Sequence, residues 1–114
     1  MQVRLVGGGS SSEGRLEVLY NGIWGTVCDD GFSMSAADTV CRQLGYTGAI
    51  GFETSMSPGA DPIWLDDLSC TGAETSIIQC DHRGWASHDC KHSEDIAVRC
   101  NDGIESAGKV EQLQ

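Results

Sequence analysis

Asp29 and Asp30 directly follow Cys28, and carboxylates on neighbouring residues repel one another when ionised. A fold that keeps such a pair leaves it in water or gives it a cation, and hard oxygen donors suit Ca²⁺. The other side chains able to do chemistry are six cysteines and three histidines, His82, His88 and His92. The histidines share one short stretch but have no H-E-x-x-H pattern and no helical frame. They therefore read as surface residues rather than a zinc or copper site. Serine, histidine and aspartate are all present, without a G-x-S-x-G elbow or a comparable frame. No constellation has the nucleophile, base and oxyanion donors that catalysis needs, so the chain reads as non-enzymatic.

The cysteines are even in number and widely spread. The closest are Cys70 and Cys80, and Cys80 and Cys90. Zinc sites favour close pairs such as C-x-x-C, so this spacing predicts three disulfides and an oxidising, extracellular compartment. Cysteines locked in disulfides cannot act as nucleophiles. Spacing alone leaves the pairing open.

At 114 residues the chain has room for one modest core. No apolar run approaches the roughly 20 residues of a membrane helix, so no membrane insertion is expected. The opening MQVRLVGGG has no signal-peptide core, and no N-x-S/T acceptor is present. Residues 1–2 read as an added start on a domain cut from a longer precursor, residues 3–101 as the domain, and 102–114 as a flexible tail or linker without periodic apolar pattern. The net charge is −10, from 17 acids against 7 bases, and the bases Arg4, Arg15, Arg42, Arg83, Lys91, Arg99 and Lys109 are scattered. That excludes the basic footprint nucleic-acid binding requires. It suits an extracellular module able to take up divalent cations.

The elements that must position these residues follow from pattern. Val3–Val6 reads as a short strand, followed by the Gly/Ser-rich GGGSSSEG. Arg15–Tyr20 partly alternates, with Leu16 and Val18 on one face. Asn21-Gly22 then separates it from IWGTVC, a strong hairpin signal because a type I′ turn needs φ > 0 at both positions. Trp24 and Val27 are expected to fill the core. Ser35–Leu44 is the main helix: Ser35 and Asp38 fit a capping pattern, Ala37, Val40, Cys41 and Leu44 form one apolar face, and Gly45 is a natural stop. Thr47–Pro62, with Pro58 and Pro62, reads as a loop. Ile63–Leu68 is extended, Thr71 and Glu74 form a second capping box before a brief helix in TSIIQC, Trp85 anchors an irregular stretch, and Ile96–Cys100 is a closing strand.

Together VRLVGG, GRLEVLYNGIWGTVCDD, AADTVCRQLGY, PIWLDDLSC-TGAETSIIQC and HDCKHSEDIAVRC resemble a scavenger receptor cysteine-rich domain. Motif order and cysteine spacing agree from about Val3 to Cys100. The eight-cysteine subclass has further cysteines that would fall near Ser12 and at Tyr46, so the resemblance is to the six-cysteine subclass. It implies the pairing Cys28–Cys90, Cys41–Cys100 and Cys70–Cys80. It also implies an α+β fold, a curled antiparallel sheet cradling one main helix, with a short second helix.

The resemblance carries functional expectations as well. The first bond would tie Asp29 and Asp30 to the segment holding Glu94, and family members often use these three positions to bind a cation, here Ca²⁺ or Mg²⁺. Some members have a second cation site fed by the L-D-D stretch, for which Asp66, Asp67 and Glu74 are the candidates. Asp95 reads as a structural residue. The chain departs from the family pattern at Phe32-Ser33, Ala36, SPGAD and Ile96-Ala97. The arginine-rich face with which some members bind polyanions is not evident, which leaves a bridging cation as the route. Two functions follow: a Ca²⁺-dependent ligand-binding module of a scavenger-type receptor or secreted defence protein, recognising extracellular proteins or cation-bridged polyanions; or a structural accessory domain beside neighbouring domains of a larger secreted protease, oxidase or matrix protein.

With scattered bases and a charge of −10, the protein is expected not to bind duplex DNA in EDTA at physiological salt. Fluorescence anisotropy of labelled DNA checks this; a tight, salt-sensitive complex would contradict it.

Overall fold

The computed structural model describes residues 2–54, 59, 62–82, 84 and 90–101. The elements are β1 Gln2–Gly7, β2 Glu13–Tyr20, β3 Ile23–Val27, α1 Met34–Gln43, β4 Ala49–Thr54, β5 Ile63–Leu65 and β6 Ile96–Cys100, with 3-10 turns at Ile77–Gln79 and His92–Glu94. One sheet runs β4-β6-β2-β3-β5, with β1 also paired to β2. All pairings are antiparallel except β5, which lies parallel to β3. The fold is α+β, a curled sheet against one main helix.

The β2–β3 hairpin forms where Asn21-Gly22 predicts it. Both residues have positive φ, 57° and 79°, and Tyr20 faces Ile23 across the turn. The main helix forms one residue earlier than expected and is capped differently. Ser33 is its N-cap, without a side-chain bond, and Asp38 instead accepts the Ala49 N–H at 2.8 Å. The Ser35/Asp38 box is therefore not made; Asp38 stitches the helix to β4. At the other end Gly45, with φ +98°, donates to Arg42 O, and Tyr46 N–H donates to Cys41 O. That pair of bonds is the Schellman stop a glycine permits.

Strand pairing decides which side chains are enclosed. Leu16, Val18, Val27, Leu65, Ile96 and Val98 from the sheet meet Ala36, Ala37, Val40 and Cys41 of α1 in one cluster. In mid-β2, Leu16, Glu17 and Val18 are all buried, so the sheet is covered on both faces there. The reverse face is polar. Glu17 receives Arg4 Nε at 2.9 Å and Nη2 at 2.6 Å on one oxygen, and Arg15 Nε at 3.1 Å on the other. Trp24 belongs to this face, half-buried, with the Arg4 guanidinium 4.1 Å over its ring; it does not fill the core as expected.

Three other expectations need correction. Residues 49–54 are not loop: AIGFET forms β4, antiparallel to β6, with a register shift between Ala49 and Gly51. Its side chains are mostly exposed, so burial leaves no apolar alternation in the sequence. The short second helix is a single 3-10 turn, capped by Ser76 with Gln79 rather than by Thr71 with Glu74. Glu74 closes its own turn, accepting from Thr71 N and Gly72 N. Met1, Pro58, Trp85, His88 and the 102–114 tail lie outside the described residues.

The disulfides are Cys28–Cys90, Cys41–Cys100 and Cys70–Cys80, the pairing the resemblance implies. The first two close loops of 62 and 59 residues; in the chain-entropy model each stabilises by about 4 kcal/mol. Cys41–Cys100 pins α1 to β6 within the core.

Leu16→Ala, at a fully buried position, is expected to cost about 2–5 kcal/mol, whereas Ile78→Ala, 58% exposed, stays within about 0.5 kcal/mol of wild type; urea unfolding distinguishes them. The Thr71 backbone N–H, above all, holds the Glu74 carboxyl at about 2, against an ordinary 4.5. A depressed carboxylate stabilises fully above its unfolded pKa and loses that contribution as pH falls through the folded value. Wild type is therefore expected to melt above Glu74→Gln at neutral pH, with the gap closing as pH falls from about 4.5 towards 2. Thermal melts of both proteins across that range check it.

Candidate metal site

The end of β3 and the turn before β6 build the acidic site through backbone bonds that involve no acidic side chain. Cys28 N–H donates to Leu65 O at 2.9 Å, and Asp29 N–H donates to Glu94 O at 2.8 Å. Cys28 also bridges to Asp95 as an isolated antiparallel pair. The Cys28–Cys90 bond, with Cα atoms 6.3 Å apart, anchors the same two segments covalently. The 3-10 turn His92–Glu94 then carries Glu94 back over its own start, where a Glu94 oxygen accepts the Lys91 N–H at 3.0 Å.

Asp29, Asp30 and Glu94 converge as a result. One donor atom from each, together with Cys28 Sγ, lies within 4.8 Å of all the others. A disulfide sulfur has no thiolate charge to offer a metal, so the carboxylates are the working donors. Ligands of one Ca²⁺ can be no further apart than twice a bond of about 2.3–2.6 Å, and these oxygens satisfy that limit. The set is all hard oxygen, which matches Ca²⁺ or Mg²⁺ rather than a soft ion.

The expected second group of Asp66, Asp67 and Glu74 does not form. Asp66 is fully buried and shares a cluster with Asp30, Cys28 and Cys90, again within 4.8 Å. One of its oxygens accepts the Asp67 N–H at 2.8 Å. Asp67 is exposed, with φ +55°. Glu74 sits instead against Cys70 and Cys80, engaged in its own turn. Asp30 is thus common to two overlapping carboxylate groups.

Several neighbours of the site are not legible in sequence. Thr54 at the end of β4 donates to Asp29 Oδ2 at 3.1 Å, and Phe32 packs edge-on against Phe52 at 5.1 Å. Both contacts tie the acidic turn to a strand whose sequence reads as loop. Asp95 is fully buried; its Oδ2 accepts the Gly59 N–H at 2.8 Å and lies 2.9 Å from His92 Nδ1. His82 Nδ1 accepts the Gly84 N–H at 3.0 Å. Two of the three histidines thus serve local structure.

The comparisons with known proteins agree with this architecture. The family model for the scavenger receptor cysteine-rich domain matches residues 6–101. A scavenger receptor cysteine-rich domain superfamily protein of Patiria pectinifera is 53% identical over 98% of the chain, which spans 10% of that protein. Lysyl oxidase homolog 4 of Bos taurus is 53% identical over 89% of the chain, which spans 14% of it. The solved dimeric form of the SRCR domain of mouse MARCO superposes with a TM-score of 0.75 at 41% identity, over 87% of this chain and 94% of that one. With three disulfides from six cysteines, matched motifs and a shared fold, the chain belongs to the scavenger receptor cysteine-rich family, as a non-catalytic module consistent with the six-cysteine subclass.

Proposed function

We propose that this domain is an extracellular, Ca²⁺-dependent recognition module. Asp29, Asp30 and Glu94 hold the cation, with the carboxyl of buried Asp66 behind Asp30. The observation that carries this reading is the convergence of these carboxylates within 4.8 Å on a covalently anchored turn. A cation held by few protein ligands keeps positions for oxygens of a partner, here anionic groups on proteins or polyanions. Four of the seven basic side chains have acidic or carbonyl partners within the domain, which supports a bridged mode of binding. Arg4 and Arg15 are engaged by Glu17, Arg42 donates to Gly72 O and Glu74 O, and Arg99 faces Glu13 at 3.7 Å.

A second reading is favoured by one comparison: the chain matches a small part of lysyl oxidase homolog 4. In that setting the domain is an accessory module that holds neighbours in place within a larger secreted enzyme, and the cation stiffens it.

Under either reading Ca²⁺ binds the native state alone. The melting temperature is expected to rise with millimolar Ca²⁺, since extracellular modules bind at about 10⁻⁴–10⁻³ M. The gain is about 2.7 kcal/mol at a hundredfold excess over Kd. Asp30→Ala removes this rise but leaves the metal-free protein folded, while Glu74→Gln keeps it. Differential scanning calorimetry across a Ca²⁺ titration checks the set; identical curves for wild type and Asp30→Ala would sink the site. A Ca²⁺ dependence of polyanion binding in wild type that Asp30→Ala lacks would favour the first reading over the second.

A further inference from the structure

Beside the acidic site, the polar face of the sheet encloses two oxygens that no described residue satisfies. Among the described residues, Thr26 Oγ1 and Asp95 Oδ1 are buried side-chain atoms without a hydrogen-bond partner, on residues that are both fully buried. Such orphans are rare in native proteins because the group loses its hydration and gains nothing.

Register makes the two residues neighbours. Glu17 faces Thr26, and Cys28 bridges to Asp95. Facing residues and alternate residues share a face of a sheet, which puts Thr26 and Asp95 one diagonal step apart on the same side. Gly59 lies over both. Its N–H donates to Asp95 Oδ2 at 2.8 Å, and a Cβ built on it would come within 2.8 Å of Thr26 Cγ2 and 3.2 Å of Arg15 Nε. Pro62 O, accepting the Thr26 N–H at 2.8 Å, covers the same strand.

We propose that an ordered water molecule binds between Asp95 Oδ1 and Thr26 Oγ1, beneath Gly59. The carboxylate oxygen needs a donor, and the hydroxyl can both give and take a proton. The occupant must therefore donate and accept, as water does. A cation is disfavoured by the Arg15 guanidinium at the same spot, and an anion by Asp95 itself. Even a Cβ at residue 59 would crowd Thr26 Cγ2 at 2.8 Å, so the space beneath Gly59 suits a small occupant. The water completes the shell of a carboxylate that also holds Gly59 and His92, and so backs the turn that carries Glu94. It requires no calcium.

The test is a high-resolution crystal structure of the wild-type protein, paired with thermal melts of wild type and Thr26→Val in EDTA. Valine matches threonine in shape and branching, so only the hydroxyl is lost. The expected results are a water peak within hydrogen-bond distance of both oxygens and a melting temperature lowered by about 4 °C or more in Thr26→Val. Absence of that peak overturns the proposal. So does a variant that melts at or above the wild-type temperature, the behaviour of a hydroxyl that had no partner to lose.

Discussion

Three like charges sit together here because bonds that do not involve them hold their backbones in place. At about 5 Å, two carboxylates repel by somewhat under 1 kcal/mol in water-like surroundings and by about 3 kcal/mol near a protein surface. Against this stand the Cys28–Cys90 bond, the Cys28–Asp95 bridge and the Asp29–Glu94 backbone hydrogen bond. None of them weakens when the acids ionise. The fold thereby preorganises the carboxylates despite their repulsion, which the proposed divalent cation would relieve.

The remainder of the architecture supports that arrangement. One face of the sheet packs on α1 in an apolar cluster sealed by Cys41–Cys100. The other buries Glu17 between two arginines and Asp95 beneath Gly59. Buried ion pairs contribute little net stability, because desolvation offsets their attraction. Their consequence lies elsewhere: Arg4 and Arg15 are held by buried Glu17, and Arg42 by the carbonyls of Gly72 and Glu74, so these three side chains are not gathered into one basic face. Together with the net charge of −10, this is the electrostatic setting on which the proposed cation-bridged mode of recognition rests.

Features governed by neighbours in sequence are legible in the sequence itself. The Asn21-Gly22 turn, the apolar face of α1, the Gly45 stop and the alternation at Leu16 and Val18 each depend on a few adjacent residues, and each forms in the folded chain. The resemblance in cysteine spacing supplies the disulfide pairing, which local chemistry could not have chosen. β4 is not legible, because an exposed strand owes its place to the β6 backbone rather than to its own side chains. Capping is ambiguous for a related reason. Asp38 and Glu74 have several donors within reach, and only the folded chain selects Ala49 N–H for one and Thr71 N–H for the other.

By itself the sequence determined the charge, the oxidising compartment implied by the cysteines, the hairpin, the helix and the adjacency of Asp29 and Asp30. Those are properties of composition and of short-range geometry. Tertiary structure decided which acids meet. It separated Glu74 from Asp66, brought Asp66 to Asp30, and turned Trp24 away from the core to lie under Arg4. Such choices depend on strand register and on contacts between segments far apart in the chain, where a shift of one residue reverses which face a side chain occupies.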